Sequence, residues 1–159
     1  MRFTATTEQQ TFALAKKFAS QLKGGEVIGL IGNLGAGKTI FTKGLAAGLG
    51  IKKYITSPTF VLMKVYPVKS RPARILPKAK LFNGVNPVKS LSIKHLVHID
   101  AYRLKSAQDL TAIGAPEYFS RPDTVTVIEW ADKIKKILPR KARLVKINLA
   151  KNSFRKIIF

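Results

Sequence analysis

Gly32, Gly37, Lys38 and Thr39 stand at the four fixed positions of the phosphate-binding pattern G-x-x-x-x-G-K-[ST]. Each residue type has a physical task there. Glycines let the backbone turn tightly and bring amide N–H groups close to an anion. A helix starting near Lys38 would aim its unpaired N–H groups and the positive end of its dipole at the same point. Lys38 adds a point charge for the terminal phosphates, and the Thr39 hydroxyl is a ligand for Mg²⁺.

Such a loop needs a carboxylate for the metal or for a water in its shell. Carboxylates are scarce in this chain: 8 acids face 29 basic residues, a formal charge of +21. None lies between Glu26 and Asp100, and none follows Asp132. Asp100 and Glu129 each end an apolar, strand-like run. Either can be the metal partner, with the other orienting water or binding the outer shell. His98 precedes Asp100 by two residues and shares its face; a lone histidine there reads as a structural hydrogen-bonder. Trp130, the only tryptophan, reads on spacing alone as a packing residue.

The elements that must position these groups follow from periodicity and punctuation. Thr7 and Gln10 fit a capping box, with Gln10 reaching back to Thr7. An apolar stripe from Phe12 to Leu22 then predicts a helix ended by Gly24 and Gly25. Residues 27–31 read as a buried strand and 40–49 as the helix after the loop. Residues 56–60 read as a turn and 60–66 as a strand. Further strands are expected at 96–100 and 124–129, and a short helix at 107–113. A short helix or loop follows Trp130, and a C-terminal hairpin pairs 143–149 with 154–158. This order predicts an α/β fold of the P-loop NTPase kind. Its central, mostly parallel sheet is flanked by helices, and the ligand sits at the carboxyl ends of the strands.

The length suits one domain, residues 1–159, interrupted by a basic segment at about 67–95. That segment carries many lysines and arginines, four prolines and no acid. It reads either as an arm for RNA phosphates or an acidic protein surface, or as a solvated insertion. The overall charge likewise suits a polyanionic partner or a composition bias. There is no cysteine, hence no disulfide framework. No apolar run approaches the ~20 residues of a membrane span, and the first residues lack the apolar stretch of a signal peptide. A cytoplasmic protein is expected.

Together these motifs resemble the TsaE (YjeE) family, the bacterial ATPase of tRNA threonylcarbamoyladenosine biosynthesis. The matching pieces are the loop at 32–39, the run Ser57, Pro58, Thr59 and Phe60, and His98, Asp100, Tyr102 and Arg103. Ile113 and Gly114 with Glu117 and Tyr118, then Glu129 and Trp130, complete the set in the family's order. The resemblance implies that Gly35, Ala36, Gly37, Lys38, Thr39 and Ile40 wrap the phosphates of ATP. It implies that Thr39 and Glu129 hold Mg²⁺ and that Asp100 lies by the nucleotide and matters for hydrolysis. Glu8 and Arg155 match positions near the nucleotide. Ser57 to Phe60 look like a switch-like segment, and Trp130 like a tryptophan beside the active site.

The implied partner is a TsaD–TsaB complex. The implied output is threonylcarbamoylation of adenosine 37 in ANN-decoding tRNAs, with tRNA reached indirectly or through the basic surface. Asn33 stands where the family usually has Asp, and Ala101 where Leu is common. The basic segment is longer than the family's usual connection. A small-molecule kinase and an RNA-binding protein regulated by nucleotide are the alternatives. The absence of an N-K-x-D signature points to ATP over GTP.

Overall fold

The computed structural model describes residues 1–69, 93–150 and 154–159. Seven strands form one sheet: β1 (Arg2–Ala5), β2 (Val27–Ile31), β3 (Met63–Pro67), β4 (His95–Asp100), β5 (Thr124–Glu129), β6 (Arg143–Leu149) and β7 (Arg155–Ile158). Their spatial order is β1-β7-β6-β2-β5-β4-β3. The central four, β6-β2-β5-β4, run parallel, and the edges are antiparallel. β2, which delivers the loop, therefore sits between two parallel neighbours. β5 lies beside it and ends in Glu129, and β4 lies next and ends in Asp100.

The central strands are rich in Val and Ile because helices cover both faces. Helix α1 (Glu8–Ala19) and helix α2 (Lys38–Gly48) pack over one face. There Phe41, Leu45, Leu96, Val127 and Ile147 form a core with essentially no exposure. Phe41 and Phe18 stand 6.0 Å apart, and Phe18 stacks on Phe159 at 5.2 Å. Each such side chain contributes about 1.5–3 kcal/mol on burial. The other face is covered by α3 (Ala107–Ala112) and by 3₁₀ turns at Ala115–Tyr118 and Ala131–Ile137. They bury Val97, Ile99, Leu110, Ile128 and Ile134.

The two long helices touch at glycine. A Cβ on Gly44 would stand 2.4 Å from the Phe12 carbonyl oxygen and 2.7 Å from the Ala15 Cβ. This close approach fixes α2, and with it the loop, against the rest of the fold.

Several expectations are corrected in detail. The Thr7 hydroxyl does accept the Gln10 N–H at 3.2 Å, but the Gln10 side chain accepts from the Thr6 N–H at 2.7 Å. Helix α1 ends at Ala19, where the Ser20 hydroxyl bonds the Lys17 carbonyl, before the glycine pair. β1 has no counterpart in the sequence reading. It is a four-residue edge strand with alternating exposure, too short to show a period, and its register against β7 decides it.

Residues 60–62 turn rather than extend. Leu62 takes a left-handed backbone with φ 62, its N–H returns to the Pro58 carbonyl, and its own carbonyl accepts the Asp100 N–H at 3.0 Å. β3 and β4 are antiparallel neighbours paired up to Pro67 and His95. The basic segment thus departs from one end of this pair and returns at the same place. Its residues 70–92, like the hairpin loop 151–153, lie outside the described residues.

Candidate functional site

The loop between β2 and α2 is shaped by its glycines. Gly35 and Gly37 take φ of 76 and 103, a region that favours glycine. Gly37 precedes the first residue of α2, and no side chain caps that helix. Its first N–H groups therefore face the loop as ready anion donors.

Lys38, nearly buried, folds back along the loop. Its Nζ donates to the Gly32 carbonyl at 2.7 Å and the Asn33 carbonyl at 2.9 Å. The Trp130 ring lies 3.5 Å from the same nitrogen. Burial pushes the Lys38 ammonium below its ordinary 10.5, and the charges of Glu129, Asp100 and Asp132 oppose that shift. An arriving phosphate would add to that opposition.

Parallel pairing of β4 and β5 sets Asp100 directly opposite Glu129. Both are almost fully buried, and each is saturated by different donors. Glu129 Oε2 accepts from the Thr39 hydroxyl at 3.0 Å, and Glu129 Oε1 contacts His98 Nε2 at 2.8 Å. Asp100 Oδ2 accepts from the Ser57 and Thr59 hydroxyls, each at 2.7 Å. Asp100 Oδ1 accepts the Tyr102 N–H at 2.9 Å. Buried carboxylates need such donors.

A cavity of about 470 Å³ opens above this pair, within the range of small-ligand sites. Glu8, Gly35, Gly37, Lys38, Thr39, Ile40, Asp100 and Glu129 all reach its wall. Two residues singled out from the sequence do not. Ala36 is fully buried beneath the loop. Arg155 borders the site from outside, bonded to Glu8 at 3.2 Å and packed on Gly37, where a Cβ would stand 3.1 Å from its Nε. That Nε is buried and has no hydrogen-bond partner among the described residues.

Trp130 does pack against the core, as its spacing suggested, but only on one side. It is partly exposed, takes a left-handed backbone with φ 59 directly after Glu129, and lines the cavity. A non-glycine residue in that region is uncommon and clusters at functional sites. Tyr102 meets its ring at 5.1 Å. Sequence reasoning also missed that Ser57 and Thr59 bind Asp100. The signal was present, two hydroxyls two residues apart in a turn, but their acceptor lies more than 40 positions away.

Comparisons with known proteins bear on the chain as a whole. A family model described as "Threonylcarbamoyl adenosine biosynthesis protein TsaE" matches residues 5–77 and 78–157. A Bacillus subtilis (strain 168) protein with the name "tRNA threonylcarbamoyladenosine biosynthesis protein TsaE" is 35% identical over 159 residues, covering 100% of this chain and 84% of the relative. A Treponema pallidum (strain Nichols) protein of the same name is 34% identical over 157 residues, covering 99% and 98%. The crystal structure of Bacillus subtilis YdiB superposes with a TM-score of 0.68 at 30% identity, covering 99% of this chain and 82% of that one. A shared architecture, a match along nearly the whole chain and a common motif order lead to one conclusion: the chain belongs to the TsaE family of tRNA threonylcarbamoyladenosine biosynthesis proteins.

Proposed function

We propose that this protein is a Mg²⁺-dependent ATPase acting with a TsaD–TsaB-like complex in threonylcarbamoylation of adenosine 37 of ANN-decoding tRNAs. One observation carries the reading: Thr39 and Glu129 meet at 3.0 Å at the uncapped N-terminus of α2, beside Lys38. That is a hard-oxygen pair next to an anion site, the donor chemistry Mg²⁺ prefers. Among the described residues no three His, Cys, Asp or Glu cluster into a metal cage. This suits Mg²⁺, which usually takes one or two protein ligands and completes its shell with phosphate and water.

Bound there, Mg²⁺ would neutralise charge on the terminal phosphates. The chain's own residues do the rest. The α2 N–H groups and Lys38 bind the phosphates, and Lys38 stabilises charge as it moves to the leaving oxygen. Thr39 and Glu129 would hold the metal. Asp100, on the cavity wall, is placed to accept a hydrogen bond from the attacking water once Ser57 or Thr59 releases it. Arg155, held by Glu8 and packed against Gly37, backs the loop from outside the cavity and would contact a nucleotide only by turning its guanidinium inward.

Exposed apolar side chains stand on the loop and on the turn at 58–62, with Leu34 86% and Phe60 85% exposed. They suit a partner that closes over the nucleotide and completes the site. The basic surface suits tRNA held in the same assembly. The test is ATP hydrolysis by the purified protein with and without the TsaD–TsaB complex. Phosphate release that needs the complex and disappears in both Lys38→Ala and Glu129→Ala is expected. Unchanged turnover in both variants would refute the reading, and a phosphorylated acceptor in place of free phosphate would mark a kinase.

A further inference from the structure

Glu129 has two oxygens and two different partners, and the buried one is His98. In the parallel β4–β5 pair His98 stands opposite Val127, so Glu129 lies two residues further on the same face. Diagonal neighbours of this kind are within reach of long side chains. The His98 Nε2 is 2.8 Å from Glu129 Oε1, with side-chain exposures of 0% and 4%. Because a carboxylate oxygen is the acceptor, Nε2 carries the proton. The other ring nitrogen, Nδ1, is buried without a hydrogen-bond partner among the described residues. The polar contact of the ring is therefore made to Glu129.

His98 does not reach the cavity wall, so it has no direct route to a nucleotide or a metal. It acts through the carboxylate. With Oε1 fixed from behind, the plane of the carboxylate is set and Oε2 points at Thr39. Without that bond, Oε1 loses its buried donor and the group is free to rotate.

We propose that His98 is a positioning residue for the metal site: its Nε2–H orients Glu129 so that Oε2 and Thr39 Oγ1 together receive Mg²⁺. The inference rests on the Mg²⁺-ATPase reading given above. Partners of a metal-binding carboxylate are typically worth about 10–100-fold in metal affinity.

The experiment titrates Mg²⁺ against a fluorescent, non-hydrolysable ATP analogue bound to the full chain, native and with His98→Leu, His98→Gln or His98→Asn. Analogue affinity without Mg²⁺ is expected to stay within about 2-fold in every variant, because His98 touches no phosphate site. The Mg²⁺ midpoint is expected to rise about 10–100-fold in His98→Leu. His98→Gln, whose amide can reach and donate to Oε1, should stay within about 3-fold of native, whereas the shorter His98→Asn should not. A native midpoint in folded His98→Leu overturns the proposal. So does an equal rise in all three variants, which would report packing rather than donation. Should His98→Leu fail to fold, equal midpoints in His98→Gln and His98→Asn overturn it. A native protein whose analogue binding ignores Mg²⁺ refutes the ATPase reading itself, whereas a native Mg²⁺ response untouched by His98 variants refutes only this inference.

Discussion

Asp100 and Glu129 face each other across two parallel strand ends, yet they hold different parts of the molecule. Glu129 grips the start of α2 through Thr39. Asp100 grips the turn at 57–59 through two hydroxyls. One carboxylate is thus tied to the phosphate loop and its neighbour to the segment that flanks the cavity. The segment and the loop are thus anchored at adjacent residues.

Removing the Asp100 carboxylate should therefore free the turn while leaving the loop in place. In Asp100→Ala the Ser57 and Thr59 hydroxyls and the Tyr102 N–H all lose a charged acceptor. A cost of about 2 kcal/mol or more is expected, from bonds to a charged group worth about 1.5–3 kcal/mol each. Denaturant unfolding reads the loss, and faster amide exchange confined to 57–62 and Tyr102 locates it. Uniform exchange across the chain would contradict the assignment.

Lys38→Ala should be felt mainly in the bound state. With one charged donor to the phosphates gone, a contact of about 1.5–3 kcal/mol, ATP affinity should fall about 100-fold. At an ATP concentration 100 times the native Kd, ligand stabilisation would drop from about 2.7 to about 0.4 kcal/mol. Thermal unfolding with and without ATP measures this. An unchanged ATP shift would place the phosphates elsewhere.

Gly44→Ala sets two effects against each other. Alanine is the better helix former by about 1 kcal/mol. The added Cβ, however, would meet the Phe12 carbonyl at 2.4 Å and the Ala15 Cβ at 2.7 Å. The neighbours are backbone and a short side chain, neither of which can swing aside, so overpacking of about 1–3 kcal/mol should win. Lower stability by denaturant titration is the expected outcome.

Acid should loosen the start of α3. Asp109 caps that helix reciprocally with Ser106, and its carboxylate accepts the Lys105 N–H at 2.7 Å. Those bonds, the Lys105 N–H first among them, hold its carboxyl below the ordinary 3.8. A lowered folded value means the stabilisation is complete above 3.8 and is lost as pH falls through the folded value. Protection of the amides at residues 105–112, relative to their intrinsic exchange at each pH, should fall over that window in the native protein, and Asp109→Asn should remove that change in protection.

What the sequence determined by itself was local or short-ranged. The loop pattern, the strand before it and the helix after it are contiguous, so spacing was enough to read them. Asp100 and Glu129 stood out because acids are so few, and the run lengths placed each at a strand end. The relations between distant segments were decided by the tertiary structure. Strand order set Glu129 opposite Asp100 and put Thr39 within reach of the first. The edge strand β1 exists through its pairing with β7, since four residues carry no periodic signal. Trp130 read as core because tryptophan usually is; it does pack against the core, and the left-handed turn after β5 also brings it over Lys38. Likewise His98 showed its partner only once two strands were aligned in register. Periodicity reports which face a residue takes, whereas a hydrogen bond across the sheet depends on register, which pairing and packing alone fix.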